Sequence, residues 1–136
     1  MTKIIKIAII GLGQVGNYLY RELNLKKKNI EIKSGKKIQI VAVSAKNRNK
    51  KRKYKINKKI FYTDPIKIIK KINPDVLFEV IGQSDGISKK VVETALRNQI
   101  HVITPNKGLI SKHGDYLSKL AEDNNVNLEF EASVAG

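Results

Sequence analysis

The residues with the clearest chemistry are three glycines in the run Gly11-Leu12-Gly13-Gln14-Val15-Gly16. The run follows the apolar segment Ile4-Ile5-Lys6-Ile7-Ala8-Ile9-Ile10 and leads into a helical pattern. A strand, a tight turn and a helix N-terminus in that order bind the pyrophosphate of a dinucleotide. Gly11 permits the turn at the strand end. Gly13, with no Cβ, lets backbone approach the phosphates, and Gly16 lets the helix pack close to the strand. The helix offers its free N–H groups and positive dipole end to the anion. The alternative is a glycine-rich turn in an ordinary α/β unit.

A second pattern bears on which dinucleotide is bound. Sites for an unphosphorylated ribose carry Asp or Glu at the end of the second strand. Here that strand runs into Val43-Ser44-Ala45-Lys46-Asn47-Arg48, with no acid. Ser44 can donate to a phosphate oxygen, and Lys46 and Arg48 can supply charge, Arg48 through a planar fork. No carboxylate occurs between Glu31 and Asp64, and residues 46–53 are the densest basic stretch. The reading is NADP over NAD, with a lysine-rich coding bias as the alternative source of the charge.

These loops need elements to position them. Apolar runs alternate with helical patterns, which predicts βαβ units and a parallel sheet. Strands are expected at 4–10, 38–43, 76–80, 101–104 and 126–130, with a short extended piece at 60–62. A helix is expected over Gln14–Leu25, with Val15, Leu19 and Leu23 on one face, followed by a polar connection over 26–37. Asp64 and Pro65 read as N-cap and first residue of a helix carrying Ile66, Ile69 and Ile72, stopped by Asn73-Pro74. Ser84 or Asp85 is the expected cap of a helix burying Ile87, Val91, Ala95 and Leu96. The last helix, 107–123, is expected to break near Gly114. The fold class is therefore α/β, a Rossmann-type doubly wound parallel sheet, with the five main strands in the order 3-2-1-4-5. Ligands of such sheets bind beyond the carboxyl ends of the strands. That gathers residues 11–16, 44–48, 81–85 and 104–107 around one crevice.

The composition sets outer limits. The 136 residues suit one domain with a real core, and cysteine is absent, which excludes disulfide and thiolate chemistry. No apolar run approaches the ~18 residues of a membrane span, and no signal-peptide pattern is present. The net charge of +15 raises nucleic acid as a partner. Helix-turn-helix, zinc-ligand and aromatic-platform signals are all lacking, so only non-specific, salt-sensitive binding is expected.

The chain resembles the nucleotide-binding domain of homoserine dehydrogenase. The resemblance rests on Gly11-Leu12-Gly13-Gln14-Val15-Gly16, on residues 41–48, on Phe78-Glu79-Val80-Ile81-Gly82-Gln83-Ser84-Asp85-Gly86, on His101-Val102-Ile103-Thr104-Pro105-Asn106-Lys107 and on Phe130-Glu131-Ala132-Ser133-Val134-Ala135-Gly136. The stretch from Val41 is most similar to the alphaproteobacterial branch. The resemblance implies interconversion of L-homoserine and L-aspartate 4-semialdehyde with NAD(P), on the route to threonine and methionine. It also implies a cytoplasmic enzyme that is a homodimer at full length. It places Gly11, Leu12, Gly13, Gln14, Val15 and Gly16 on the pyrophosphate and Ser44, Lys46 and Arg48 at the 2′-phosphate. Gly82, Gln83, Ser84, Thr104 and Pro105 fall on the nicotinamide side, and Ile81 and Lys107 are also among the cofactor-binding residues. Lys107 matches the active-site lysine, and Glu131, Val134 and Gly136 match a sodium site. Pro105 and Gln83 depart from the commonest family residues.

The chain is thus expected to be the NAD(P)-binding domain, 1–136, stopping before a substrate-binding and dimerisation domain and inactive alone. Two other readings stay open. One is another NADP-dependent semialdehyde dehydrogenase of the same fold, and the other is a non-catalytic NAD(P)-sensing module. His101 and His113 are read as structural or surface residues.

Overall fold

The computed structural model describes residues 3–131. Strand β1 (Ile4–Ile10) leads through the glycine turn into helix α1 (Gln14–Leu25), then α2 (Lys27–Ser34) and β2 (Lys37–Ser44). A long loop and a 3-10 turn (Lys58–Ile60) reach β3 (Phe61–Tyr62) and α3 (Pro65–Lys67), which continues as a π-wound turn over Ile68–Ile72. Then come β4 (Val76–Glu79), α4 (Ile87–Arg97), β5 (His101–Thr104), α5 (Lys107–Asp123) and β6 (Leu128–Phe130).

All five strand pairings are parallel, in the order β3-β2-β1-β4-β5-β6. This confirms the doubly wound class and corrects the expected strand order. The strand at 76–79 lies beside β1, not outside β2, because the two-residue β3 takes the outer place. The reversal of winding therefore falls between β1 and β4, which opens the crevice at the glycine turn.

Side chains alternate across the sheet with the strand period of two. Ala8 and Ile10 face one core with Leu77 and Val102, closed by Ile68 and Ile69, by Val91, Ala95 and Leu96 of α4, and by Leu109 and Leu117 of α5. Ile7 and Ile9 face the other core with Val43 and Phe78, where Leu19, Leu23 and Ile30 of α1 and α2 pack. Both faces of β1 are buried over residues 7–10, which is why that part reads as a continuous apolar run.

Several local expectations hold. Asp64 accepts from the Ile66 amide at 2.9 Å with Pro65 in the first turn, and Asn73 ends that helix in the left-handed region at φ 49°. Others are corrected. The 26–37 connection contains α2, a helix with no buried residue, stopped by Gly35 at φ 71°. Its Lys and Glu residues are good helix formers, but it lacks an apolar stripe to announce it. Helix α5 runs unbroken through Gly114, because burial of Leu109, Leu117 and Ala121 outweighs a glycine cost of about 1 kcal/mol. The residue capping α4 is Gly86, with no side-chain cap, so neither Ser84 nor Asp85 does so. No described helix is long and apolar enough to cross a membrane.

Candidate functional site

The glycine turn is fixed by close backbone packing. Gly11 has φ +107°, and a Cβ there would lie 2.8 Å from the Val80 carbonyl and the Ile81 nitrogen. Its N–H donates to the Ser44 carbonyl at 2.8 Å, tying β1 to β2 where the crevice opens. A Cβ on Gly16 would lie 1.9 Å from the Gly11 carbonyl oxygen, so α1 packs on the turn itself. Gly13 differs from both: a Cβ there would meet nothing within 4 Å. Gly13 is also the N-cap of α1, with no side-chain cap and no acidic residue in the first turn. The uncapped N–H groups and the dipole end of α1 thus face an open approach, the arrangement that receives a phosphate.

Two cavities flank this turn and share Leu12 and Gly13. One, of about 520 Å³, lies between residues 12–15 and the basic segment 50–54. The other, of about 360 Å³, is bounded by Ser44, Ala45, Lys46, Pro65, Ile81 and Ile87, among others. The apolar walls of the second suit a flat base, and the lysines of the first suit phosphate.

The basic loop is folded onto α1. The buried Asn17 side chain donates to the Tyr54 carbonyl and accepts from its N–H, both at 2.8 Å. The Tyr20 hydroxyl accepts from the Asn57 amide at 3.2 Å, and the Arg21 guanidinium stacks 4.7 Å from the Tyr54 ring centre. Arg52 donates to the carbonyls of Asn47, Lys50 and Leu12 and lies over Phe61. Asn17→Ala should release residues 50–54 from α1 and lower stability by about 2 kcal/mol, since it orphans both backbone groups of Tyr54. Limited trypsin cleavage at residues 50–53 should accelerate well below the unfolding transition. An unchanged cleavage rate would contradict the clasp.

The other side of the crevice is organised by Glu79, the last residue of β4, which is fully buried. Its Oε2 accepts from the amides of Ile81 (2.9 Å) and Gly82 (3.1 Å) and from the Ser88 hydroxyl (3.0 Å). Its Oε1 accepts from the Thr104 hydroxyl (2.8 Å) and the Asn106 side-chain amide (3.1 Å). Asn106 also donates to the Gln83 carbonyl at 2.6 Å, and its Oδ1 caps α5 by accepting from Leu109 at 3.0 Å. Lys107 is the first residue of α5 and is exposed. Asp85 is held by the Lys112 ammonium and by His113 Nε2 at 2.6 Å. Hydrogen bonding from Lys112 first, then His113, keeps the Asp85 carboxyl below its ordinary range. The loop after β4 is thereby tied to α5.

Comparison with known proteins decides the family. The pattern of the family described as "Homoserine dehydrogenase, NAD binding domain" matches residues 11–131. The chain belongs to that family. It is 34% identical over 134 residues to a homoserine dehydrogenase of Neisseria gonorrhoeae, covering 98% of this chain and 30% of that protein. It is 33% identical over 134 residues to one of Bacillus subtilis, covering 98% of this chain and 31% of the relative. The crystal structure of S. aureus homoserine dehydrogenase at pH 7.5 superposes with a TM-score of 0.88 at 34% identity, covering 96% of this chain and 34% of that one. The chain thus spans about a third of the length of the curated relatives it matches.

For this homoserine dehydrogenase NAD-binding domain, the residues named from sequence separate into groups. Gly11, Leu12, Gly13, Gln14, Val15 and Gly16 form the turn and the start of α1. Ser44 is buried beside the turn, and Lys46 lines the smaller cavity with Ile81. Arg48 lines neither of these two cavities and donates to the Lys58 carbonyl at 2.9 Å. Gly82, Gln83 and Ser84 lie in the loop that Glu79 and Ser88 brace. The Thr104 hydroxyl points inward, donating to Glu79 and accepting from the Asn106 amide. Pro105 stands between Thr104 and Asn106, half-buried. His101 accepts from the Asn127 amide, a structural bond. Glu131 follows β6, its amide donating to the Thr104 carbonyl at 3.1 Å. Val134 and Gly136 lie outside the described residues.

Sequence reasoning missed Glu79, Asn17, Arg52 and Tyr54. Glu79 had a signal, being the one carboxylate in Val76-Leu77-Phe78-Glu79-Val80. A lone acid inside a buried strand must have partners.

Proposed function

We propose that this chain is the NADP-binding domain of a homoserine dehydrogenase that interconverts L-homoserine and L-aspartate 4-semialdehyde in the cytoplasm, in threonine and methionine biosynthesis. We place it nearest the alphaproteobacterial branch on residues 41–48. The domain reading covers 1–136, completed in the full protein by a substrate-binding and homodimerising part. One observation carries the cofactor reading: an uncapped glycine turn open at Gly13 lies beside a lysine-rich segment held in place by Asn17.

When bound, the nicotinamide supplies the hydride acceptor or donor. The chain's own residues bind and orient. The N-terminus of α1, with Gly11, Leu12, Gly13, Gln14, Val15 and Gly16, takes the pyrophosphate through backbone N–H groups. The cavity lined by Ala45, Pro65 and Ile87 takes the adenine. Lys46 and Arg48, together with the lysines at 50, 51 and 53, set the positive field for a 2′-phosphate, Ser44 offers it a hydroxyl donor, and no acid stands at the end of β2 to repel it. Gly82, Gln83, Ser84 and Pro105 line the nicotinamide side with Thr104 buried beneath them, and Ile81 borders the adenine cavity. Lys107 leaves the N-terminus of α5 with its ammonium exposed. It holds the substrate oxygen on the carbon that gives up hydride and stabilises charge there. A sodium ion held by Glu131 with Val134 and Gly136 belongs to the same reading. Of that set, Glu131 alone falls among the described residues.

The test is a chimera that joins residues 1–136 to the remaining part of the B. subtilis relative. It should reduce L-aspartate 4-semialdehyde with NADPH. Lys107→Ala should lower turnover at least about a hundred-fold with NADPH affinity retained. Turnover unaffected by Lys107→Ala would remove the lysine from the mechanism.

A further inference from the structure

Glu79 makes more hydrogen bonds than strand packing requires. A residue at the carboxyl end of an interior strand has only its side chain to bury, and an apolar one would do so at lower cost. Glu79 instead accepts five hydrogen bonds from three separate segments: Ile81 and Gly82, Ser88, and Thr104 and Asn106. The bonds divide by oxygen. Oε2 takes the loop after β4 and the first turn of α4, and Oε1 takes the loop after β5. Through Ser88, which accepts from Gln83, and Asn106, which donates to the Gln83 carbonyl, both polar groups of the Gln83 backbone are fixed as well. Through Asn106 Oδ1, the same carboxylate sets the first turn of α5, where Lys107 begins.

Adjacent strands of a parallel sheet fix each other's spacing along their length, but not the loops beyond their ends. Nothing in the backbone ladder of β4 and β5 registers residues 81–84 against residues 104–107. The carboxylate does that work, with one oxygen for each loop.

We propose that Glu79 is a positioning residue. It locks the β4 and β5 loops into one surface, so that the nicotinamide half of the dinucleotide and Lys107 meet in fixed geometry. The proposal rests on the NADP-binding reading above. The adenosine half is assigned to residues 11–16 and 44–46 and to the cavity beside them, where Glu79 lines nothing and Ile81 is the one residue that Glu79 holds directly. The two halves of the ligand should therefore respond differently to a change at Glu79.

The test is a pair of titrations on this chain, with NADPH and with 2′,5′-ADP, which lacks the nicotinamide half. Glu79→Gln keeps size and shape but turns an NH2 group toward N–H or O–H donors on one side, whichever way the amide faces. NADPH affinity should fall about ten-fold or more while 2′,5′-ADP affinity changes less than about two-fold. Ser88→Ala removes one donor to Oε2 and the acceptor for Gln83. It should shift NADPH alone, by about three-fold, and it decides the matter if Glu79→Gln does not fold. Equal weakening of both nucleotides would mean a merely structural role, and no change in either would mean no role; both overturn the proposal. Wild-type chain that binds neither nucleotide overturns the functional reading, and this proposal with it.

Discussion

Gly16→Ala is expected to cost the domain about 3 kcal/mol or more and to lower its melting temperature by about 10 °C or more. The new Cβ would sit 1.9 Å from the Gly11 carbonyl oxygen and 2.8 Å from its carbon. Both are backbone atoms, so no rotamer change relieves the overlap, and α1 must move off the turn. That movement opposes the packing of Leu19 and Leu23 on the sheet and shifts the N–H groups that form the anion site. Urea unfolding followed by circular dichroism measures the loss. A variant as stable as the wild type would mean that α1 can slide on the sheet, and the fixed geometry of the turn would be wrong.

Gly13→Asp should behave in the opposite way. Nothing lies within 4 Å of a Cβ at this position, and Gly13 is not at positive φ, so the fold accepts the side chain. A carboxylate at the N-terminus of α1 even favours the helix slightly. It also places negative charge and bulk where a pyrophosphate would lie. Stability should change by less than about 1 kcal/mol while NADPH affinity falls more than about a hundred-fold. The two glycines thus separate fold from ligand. If Gly13→Asp binds NADPH as the wild type does, the phosphates do not pass over this turn.

Much of this was legible in the sequence because the information is local. The β1 run, the glycine turn and α1 follow from an apolar segment, three glycines and a helical period within residues 4–25. The start of α3 at Asp64-Pro65 is equally local. Strand order is not local. β3 is two residues long, and nothing in Phe61-Tyr62 says that it, rather than the strand at 76–79, pairs with β2. Helix α2 has the composition of a helix but no buried stripe, so periodicity could not reveal it. The Glu79 network joins residues 25 and 27 positions apart, and the Asn17 clasp spans 37, so neither leaves a spacing pattern. The clasp also changes the reading of the charge. Lysines at 50, 51 and 53 are held at a cavity beside the glycine turn, whereas Arg48, prominent in sequence, is turned to the Lys58 carbonyl.

The central claim is that this domain binds a dinucleotide and prefers the one carrying a 2′-phosphate. The direct measurement is a fluorescence titration of the chain with NADPH and with NADH at moderate salt, which screens unspecific attraction to the net charge. The account predicts NADPH binding tighter by about ten-fold or more. Equal affinity for the two, or binding of neither, would contradict it.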